Sequence, residues 1–444
     1  MKHFIFTTLL TSSVMLANAQ NLSLDEAITQ ATNSSRSLKS LDYKVKSLTA
    51  KTAESKSGLL PSLKYTGSYN RLSKITPATF SIPVGTDPSG QPILRSVALN
   101  PNILNQFTNR LALSQPLFVG GRLQLGLEIS KLNQEVASVE YDRSKADVIL
   151  NTKTSYWNLY RAYQLQKQVQ ESVTKAQAHV NDVQELVKFG AATQNDLLAS
   201  QLQLSNAKLQ LIDANNNITI ATASLNNLLG TSLDQTITPT SAPRTQTITL
   251  ASLQSLTDKA VSSRAEMKTA QLQEKTAQLG IKNAKAGWLP QVNASAALDY
   301  NNPNQRIVPA EDKFYATWAV GVNVSMDLWN WNTTKHQTEQ ARMQQLQAKE
   351  GIEQTKEGIS LEVTQLYVSV NQALEKIKVT QESVEQAKEN YRIVNEKYKK
   401  GVALNSDVID ANTALLSANV NLTATLVEYE LALAKLEKAV GGLQ

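Results

Sequence analysis

Phe314-Tyr315-Ala316-Thr317-Trp318-Ala319-Val320-Gly321-Val322-Asn323-Val324-Ser325-Met326-Asp327-Leu328 alternates without a break. Phe314, Ala316, Trp318, Val320, Val322, Val324, Met326 and Leu328 fall on one face, and small or polar residues fall on the other. A period of two marks a strand with two unlike faces, and a run of this length suits either a soluble sheet or the lipid-facing wall of a barrel. Weaker versions occur at Val292, Ala294, Ala296, Leu298 and Tyr300, at Leu63, Tyr65 and Tyr69, and at Phe107, Leu111 and Leu113. These runs predict two strand pairs, 62–72 with 106–117 and 290–301 with 314–328.

Aromatic placement favours lipid. Trp288, Phe118, Trp329 and Trp331 gather where strands meet helices, and Tyr69, Phe107, Tyr300 and Phe314 lie near the far ends, as two interfacial girdles require. Four strands cannot close a barrel, and open edges in hydrocarbon would leave unpaired backbone groups costing several kcal/mol each. The chain must therefore oligomerise. Two copies would supply eight strands and three would supply twelve; an open pore favours three.

Outside the strands the reading is helical. No proline occurs from Leu117 to Thr238 or from Ala310 onward, so each stretch can run as helix. Each breaks once, at Lys188-Phe189-Gly190-Ala191-Ala192-Thr193 and at Lys399-Lys400-Gly401-Val402-Ala403-Leu404, where glycine suits a left-handed C-cap and Asn195 or Ser406 can cap the next helix. Val169, Val173, Ala176, Val180, Val183 and Val187 form a heptad seam, matched by Thr380, Val384, Ala387, Tyr391, Val394 and Tyr398. On the returning arms Leu197, Leu204, Leu211, Ile218 and Leu225, and Val408, Leu415, Leu422, Tyr429 and Leu436, each step by seven. Both hairpins read as antiparallel coiled coils.

The two halves are copies at one constant offset, without a gap. Ser114-Gln115-Pro116-Leu117-Phe118 recurs as Ser325-Met326-Asp327-Leu328-Trp329, Tyr156 as Tyr367, Gly190 as Gly401 and Asp196 as Asp407. The expected organisation is a signal peptide at 1–19; a first repeat at 20–230 with the hairpin 122–187/195–230; a linker at 231–250; and a second repeat at 251–444 with the hairpin 331–398/406–440. Lys2, His3, the apolar run from Phe4 to Leu16 and Ala17-Asn18-Ala19 carry the signal reading. The proline-rich stretch from Leu72 to Asn105 reads as a long loop, and the Thr-, Ser- and Pro-containing linker as part of neither core nor pore.

Composition removes several function classes. The chain has no cysteine, which excludes disulfides and thiolate chemistry. Its formal charge of +6 is spread along helices with no basic run interleaved with aromatics, so no nucleic-acid partner is expected. His179 and His336 lie in separate helices, without zinc spacing, and are expected at the surface. No set of groups converges for catalysis, and no cofactor or metal is implied.

The signal, the duplicated helix, strand pair and long hairpin, and the turn Tyr398-x-x-Gly401-x-x-x-x-x-Asp407-Val408-Ile409-Asp410-Ala411 together resemble the TolC family of outer-membrane efflux and secretion channels. The resemblance covers the mature chain. It implies a mixed, mostly α fold: a homotrimeric twelve-stranded barrel in outer-membrane lipid, continued by a periplasmic α-helical coiled-coil barrel of a Gram-negative cell. It also implies a passive exit duct served by a periplasmic adaptor (membrane fusion) protein and an inner-membrane pump of RND or ABC type. Asp407 and Asp410 match the family's entrance aspartates, so three copies would set six carboxylates near one axis and favour cations. Asp407 also stands in a first helical turn, where the dipole favours any acid. Asp196 and Tyr398 match residues that hold the family's entrance shut, while Ala403 replaces the arginine of that link. Gly190, Ala191, Gly401 and Val402 match the tips that dock the adaptor. Type I protein secretion remains an alternative to small-molecule efflux, and a periplasmic coiled-coil spacer is the alternative from another class.

Overall fold

The computed structural model describes residues 20–76, 78–98, 102–244 and 249–443; the signal read at 1–19 lies outside them. In chain order the elements are β1 (Gln20–Leu22), α1 (Leu24–Ser34), α2 (Arg36–Ser57), β2 (Ser62–Arg71), β3 (Thr79–Thr86), β4 (Pro92–Ala98) and β5 (Asn105–Val119). They continue as α3 (Arg122–Lys188), α4 (Gln194–Leu229), β6 (Ile237–Pro239), α5 (Leu253–Ser263) and α6 (Ala265–Lys285). The last are β7 (Gln291–Asn301), β8 (Tyr315–Ser325), α7 (Thr333–Lys399) and α8 (Asn405–Ala439). The described chain forms two compact units, each assembled from both halves. Among the described residues no helix is long and apolar enough to cross a membrane.

One unit, spanning Val45–Val136 and Gln271–Gly351, holds a sheet in the order β2-β5-β7-β8, with every neighbour antiparallel. Register lines up Leu63, Leu113, Ala296 and Val320 in one row and Tyr65, Leu111, Leu298 and Trp318 in the next. Trp318 is 71% and Val320 73% exposed, so this face is apolar and uncovered. The other face carries Ser62, Ser114, Ser295 and Gly321 in one row and Thr66, Arg110, Asp299 and Thr317 in another. Tyr69, Phe107, Phe314 and Tyr300 cluster at one end of the sheet, with ring centroids 4.9, 5.5 and 5.0 Å apart along that order.

Two sequence expectations change in this unit. β8 ends at Ser325, opposite Gln291, so Met326 to Leu328 lie beyond the strand. Pro290 precedes Gln291, has no N–H, and gives the ladder nothing to extend with. The supposed loop from Leu72 to Asn105 contains the β3–β4 hairpin. Its turn is made by Asp87, whose Oδ1 accepts from Ser89 N at 3.0 Å and Gln91 N at 2.9 Å, with Gly90 at φ 88°. Asp-Pro-Ser-Gly between alternating flanks is a turn signal that the density of prolines concealed.

The helical unit gathers the described residues up to Lys44, Ala137–Ala270 and those from Ile352 onward. α3 and α7 have 67 residues each, on the order of 100 Å at about 1.5 Å per residue. β1 and β6 pair in parallel, Gln20 with Ile237 through Leu22 with Pro239. The Tyr156 hydroxyl donates to Leu22 O at 2.9 Å and accepts from Ser241 N at 2.9 Å. Ile237 is 0% exposed within a cluster with Tyr156, Leu159 and Leu225. The linker is therefore partly core, contrary to expectation: a Thr-rich segment still supplies an apolar anchor at one position.

The duplication is visible in backbone conformation. Gly120 and Gly121 follow β5 at φ 66° and 78°; their counterparts after β8, Trp331 and Asn332, take φ 51° and 63°. Both turns are left-handed, and only the first uses the residue that adopts this region without strain. A Cβ at Gly120 would stand 2.9 Å from Ala286 O, whereas one at Gly121 would meet nothing within 4 Å. Gly120→Ala is expected to destabilise by about 2–3 kcal/mol and Gly121→Ala by about 1 kcal/mol. Thermal melts of helical circular dichroism in detergent check that order.

Candidate functional site

The tips of the two hairpins end in the same way. The Gly190 N–H donates to Val187 O at 3.0 Å and the Ala191 N–H to Leu186 O at 2.8 Å; Gly401 and Val402 repeat this with Tyr398 O and Lys397 O, both at 2.9 Å. Gly190 and Gly401 take φ 72° and 71°, so each is a left-handed cap that a side chain would strain. Beside them Phe189 is 81% and Val402 74% exposed, which leaves apolar groups on the turns.

Capping residues differ from those expected. Thr193, not Asn195, caps α4: its Oγ1 accepts from Asp196 N at 3.1 Å, while Asp196 Oδ2 accepts from Thr193 N at 3.0 Å. The Thr193 hydroxyl and N–H hold the Asp196 carboxyl below its usual range. Ser406 does not cap α8 either. Leu404 occupies the cap without a side-chain oxygen, and Asp407 Oδ2 reaches back to Leu404 N at 2.9 Å. Asp407 thus has the helix-start role of its repeat partner. Asp410, one turn further on, is exposed and unpaired among the described residues.

Between the tips lies a core of Val173, Ala176, Val180 and Val183 from α3, Leu197 and Leu204 from α4, Tyr398 from α7 and Val408 from α8, with Ala403 packed at its margin. Tyr398 is buried and its hydroxyl has no partner among the described residues. Burial pushes this phenol up, and the charges of Asp196 and Asp182 push it further. No hydrogen bond joins Tyr398 to Asp196, whose carboxylate is held by Thr193.

His179, expected at the surface, is 7% exposed. Its Nε2 lies 2.6 Å from Asn405 Oδ1, and its ring meets Tyr398 edge-on at 5.0 Å. Ser200 Oγ lies 3.0 Å from the same Asn405 oxygen and 2.8 Å from Asp196 O, while Asn405 Nδ2 donates to Asp196 O at 3.1 Å. Three helices, one from each arm of the first hairpin and one from the second, are thereby joined by neutral polar groups. Burial lowers the His179 pKa, against the opposing pull of Asn405 and Asp182.

The same chemistry recurs along α8. Asn412 Nδ2 donates to Ser172 Oγ at 3.2 Å, and Gln168 Nε2 donates to Thr423 Oγ1 at 2.8 Å and more weakly to Asn419 O. Asn405, Asn412 and Asn419 step by seven, and Leu426 and Leu433 continue the step. One stripe of α8 is therefore polar near the tip and apolar away from it. Sequence reasoning followed one seam per helix and missed this second one. The signal was present: asparagine at three successive heptad positions, and Ser172 and His179 spaced by seven on α3. A helix with two neighbours needs two stripes, and the second need not be apolar.

Among the described residues no group of three or more His, Cys, Asp or Glu side chains converges to hold a metal. What the tips offer is a set of helix ends, acids and buried polar contacts.

The chain matches the outer membrane efflux protein family over residues 27–231 and 256–442, leaving out most of the linker. It is 21% identical over 230 residues to the outer membrane protein TolC of Vibrio cholerae, a match covering 52% of each, so it spans about half the length of that curated relative. The fold is that of the CmeC outer membrane channel of Campylobacter jejuni (TM-score 0.73, 19% identity, 94% of this chain and 85% of that one). It is equally that of VceC from Vibrio cholerae (TM-score 0.75, 18% identity, 94% of this chain and 96% of that one). Duplicated hairpins, a sheet with an uncovered apolar face and a family match over most of the length agree: the chain belongs to the outer membrane efflux protein family and has a TolC-like fold.

Proposed function

We propose that three copies close a twelve-stranded barrel and act as the exit duct of a tripartite efflux system. A periplasmic adaptor and an inner-membrane pump of RND or ABC type would drive small toxic molecules through it. The observation that carries this reading is the sheet: an uncovered apolar face between two unpaired edges, β2 and β8, is untenable in water and incomplete in lipid. Sister copies supply matching edges, β8 against β2. In the helical unit Leu198, Leu202, Leu209 and Ile220 form a second, exposed stripe on α4, suited to a neighbouring hairpin.

In this reading the tips are the entrance. Asp410 lines it, Asp407 supports it while starting α8, and contacts round Tyr398, Asp196 and Ala403 hold it closed; the apolar turns at Gly190, Ala191, Gly401 and Val402 receive the adaptor. The pump supplies the energy, so the duct itself needs no nucleotide or cofactor.

Two measurements test the proposal. Asp410→Asn with Asp407→Asn should lower the cation preference of single channels in planar bilayers by a few-fold, with Asp410→Asn giving most of the change because Asp407 is committed to Leu404 N–H. An unchanged reversal potential removes both from the entrance. Leu202→Glu with Leu209→Glu should yield monomers in native mass spectrometry, since each buried leucine is worth about 1.5–3 kcal/mol at an interface that recurs three times. Intact trimers would mean that the stripe faces something else.

A further inference from the structure

We propose that His179 makes closure of the hairpin tips acid-sensitive: neutral, it latches α3 to the head of α8; protonated, it lets α8 go. This rests on the tips being the entrance, and it adds a control that neither the repeat nor the aspartates imply.

The geometry is specific to this imidazole. Nε2 is committed to Asn405 Oδ1 at 2.6 Å, which fixes Nε2 as the donor, because that amide oxygen can only accept. Nδ1 is then a buried acceptor, and it has no partner among the described residues. Protonation would turn it into a buried donor with nothing to receive it, and would place a charge where water is excluded. The site therefore favours the neutral ring.

The surrounding charges do not rescue the cation. α3 contributes Lys175 and Asp182, α4 contributes Asp196, α7 contributes Tyr391 and Tyr398, and α8 contributes Asp407; of these the charge that acts on the imidazole is that of Asp182. Lys175 lies over the Tyr391 ring at 5.1 Å. Asp182 favours the imidazolium, and burial outweighs it, so the closed-state pKa lies below the ordinary value.

The sign follows. A parted tip returns the imidazole to water and to its ordinary pKa, so the open form binds protons more readily than the closed one. Closure is complete above that ordinary value and weakens as pH falls through it toward the lowered one. Each unit between the two values changes the closed-to-open ratio by about tenfold. The latch is suited to such release because everything it holds is polar: water can take over the bonds of Asn405, Ser200 and the Asp196 carbonyl, as it could not for a leucine. The periplasm exchanges small ions with the medium, so external acid reaches the site.

The test is single-channel recording of the full-length trimer in planar bilayers at about pH 7.5 and about pH 5, the range in which histidine titrates. Open probability should rise several-fold in acid for the native chain, and H179Q, which can still bond Asn405, should abolish most of that rise with Asp407 and Asp410 intact. N405D should also suppress it, since a carboxylate opposite the ring stabilises the imidazolium in the closed form. Retention of the full acid response in either variant overturns the proposal, as does a native channel indifferent to acid. If the Asp407 and Asp410 substitutions change selectivity while H179Q keeps the response, the entrance reading stands and only the latch falls; if they leave selectivity unchanged, the entrance reading itself fails.

Discussion

A peptide group placed in hydrocarbon must find its hydrogen-bond partner within protein, and this chain carries four strands with an oily face and two bare margins. That mismatch governs the rest. It explains why a chain with no membrane-spanning helix among its described residues belongs to an outer-membrane family. The opposite face differs in kind: its rows are serine, alanine, glycine and threonine, with Lys64 and with Arg110 and Asp299 3.8 Å apart, so the sheet separates two unlike surroundings.

The helical unit answers a different demand. Near Tyr156 and Ile237, and again near Tyr429 and Leu433, its cores are apolar and closed, as permanent structure should be. At the tips the second stripe of α8 turns to asparagine. A buried neutral hydrogen bond contributes a net ~1 kcal/mol, against about 1.5–3 kcal/mol for a buried leucine, so replacing leucine by asparagine along one stripe weakens adhesion without spoiling register. Stiffness and separability are thus distributed along one helix by a change of residue type at a fixed spacing.

Most of the architecture was legible in the sequence because two periods, two and seven, are written cleanly in Phe314 to Ser325 and in Leu197 to Leu225, and because duplication lets each half check the other. The β3–β4 hairpin escaped because its prolines, Pro83 at the register shift, Pro88 in the turn and Pro92 at the start of β4, resemble loop punctuation. Ile237 escaped because a single apolar residue in a polar linker has no periodicity. His179 escaped for a deeper reason: burial of an imidazole depends on three other helices, and nothing local to Ala178-His179-Val180 declares them. Asp410 and Asp407 look alike in sequence, and only the hydrogen bond to Leu404 separates the acid that builds a helix from the acid left free.

The pairing of β5 with β7 has a consequence for how the molecule is made. It is the only seam of the sheet that unites the two halves, joining Arg110 to Asp299 and Val119 to Gln291 across the whole of the first hairpin. The amino-terminal strands therefore leave the ribosome long before their central neighbour exists, and must wait while more than a hundred residues follow. Non-local closure of this kind is slow and leaves sticky segments unshielded in the meantime. Biogenesis, more than the finished architecture, is where such a polypeptide is most vulnerable: Leu63, Tyr65 and Leu111 stay without their cross-strand neighbours until Leu298 arrives.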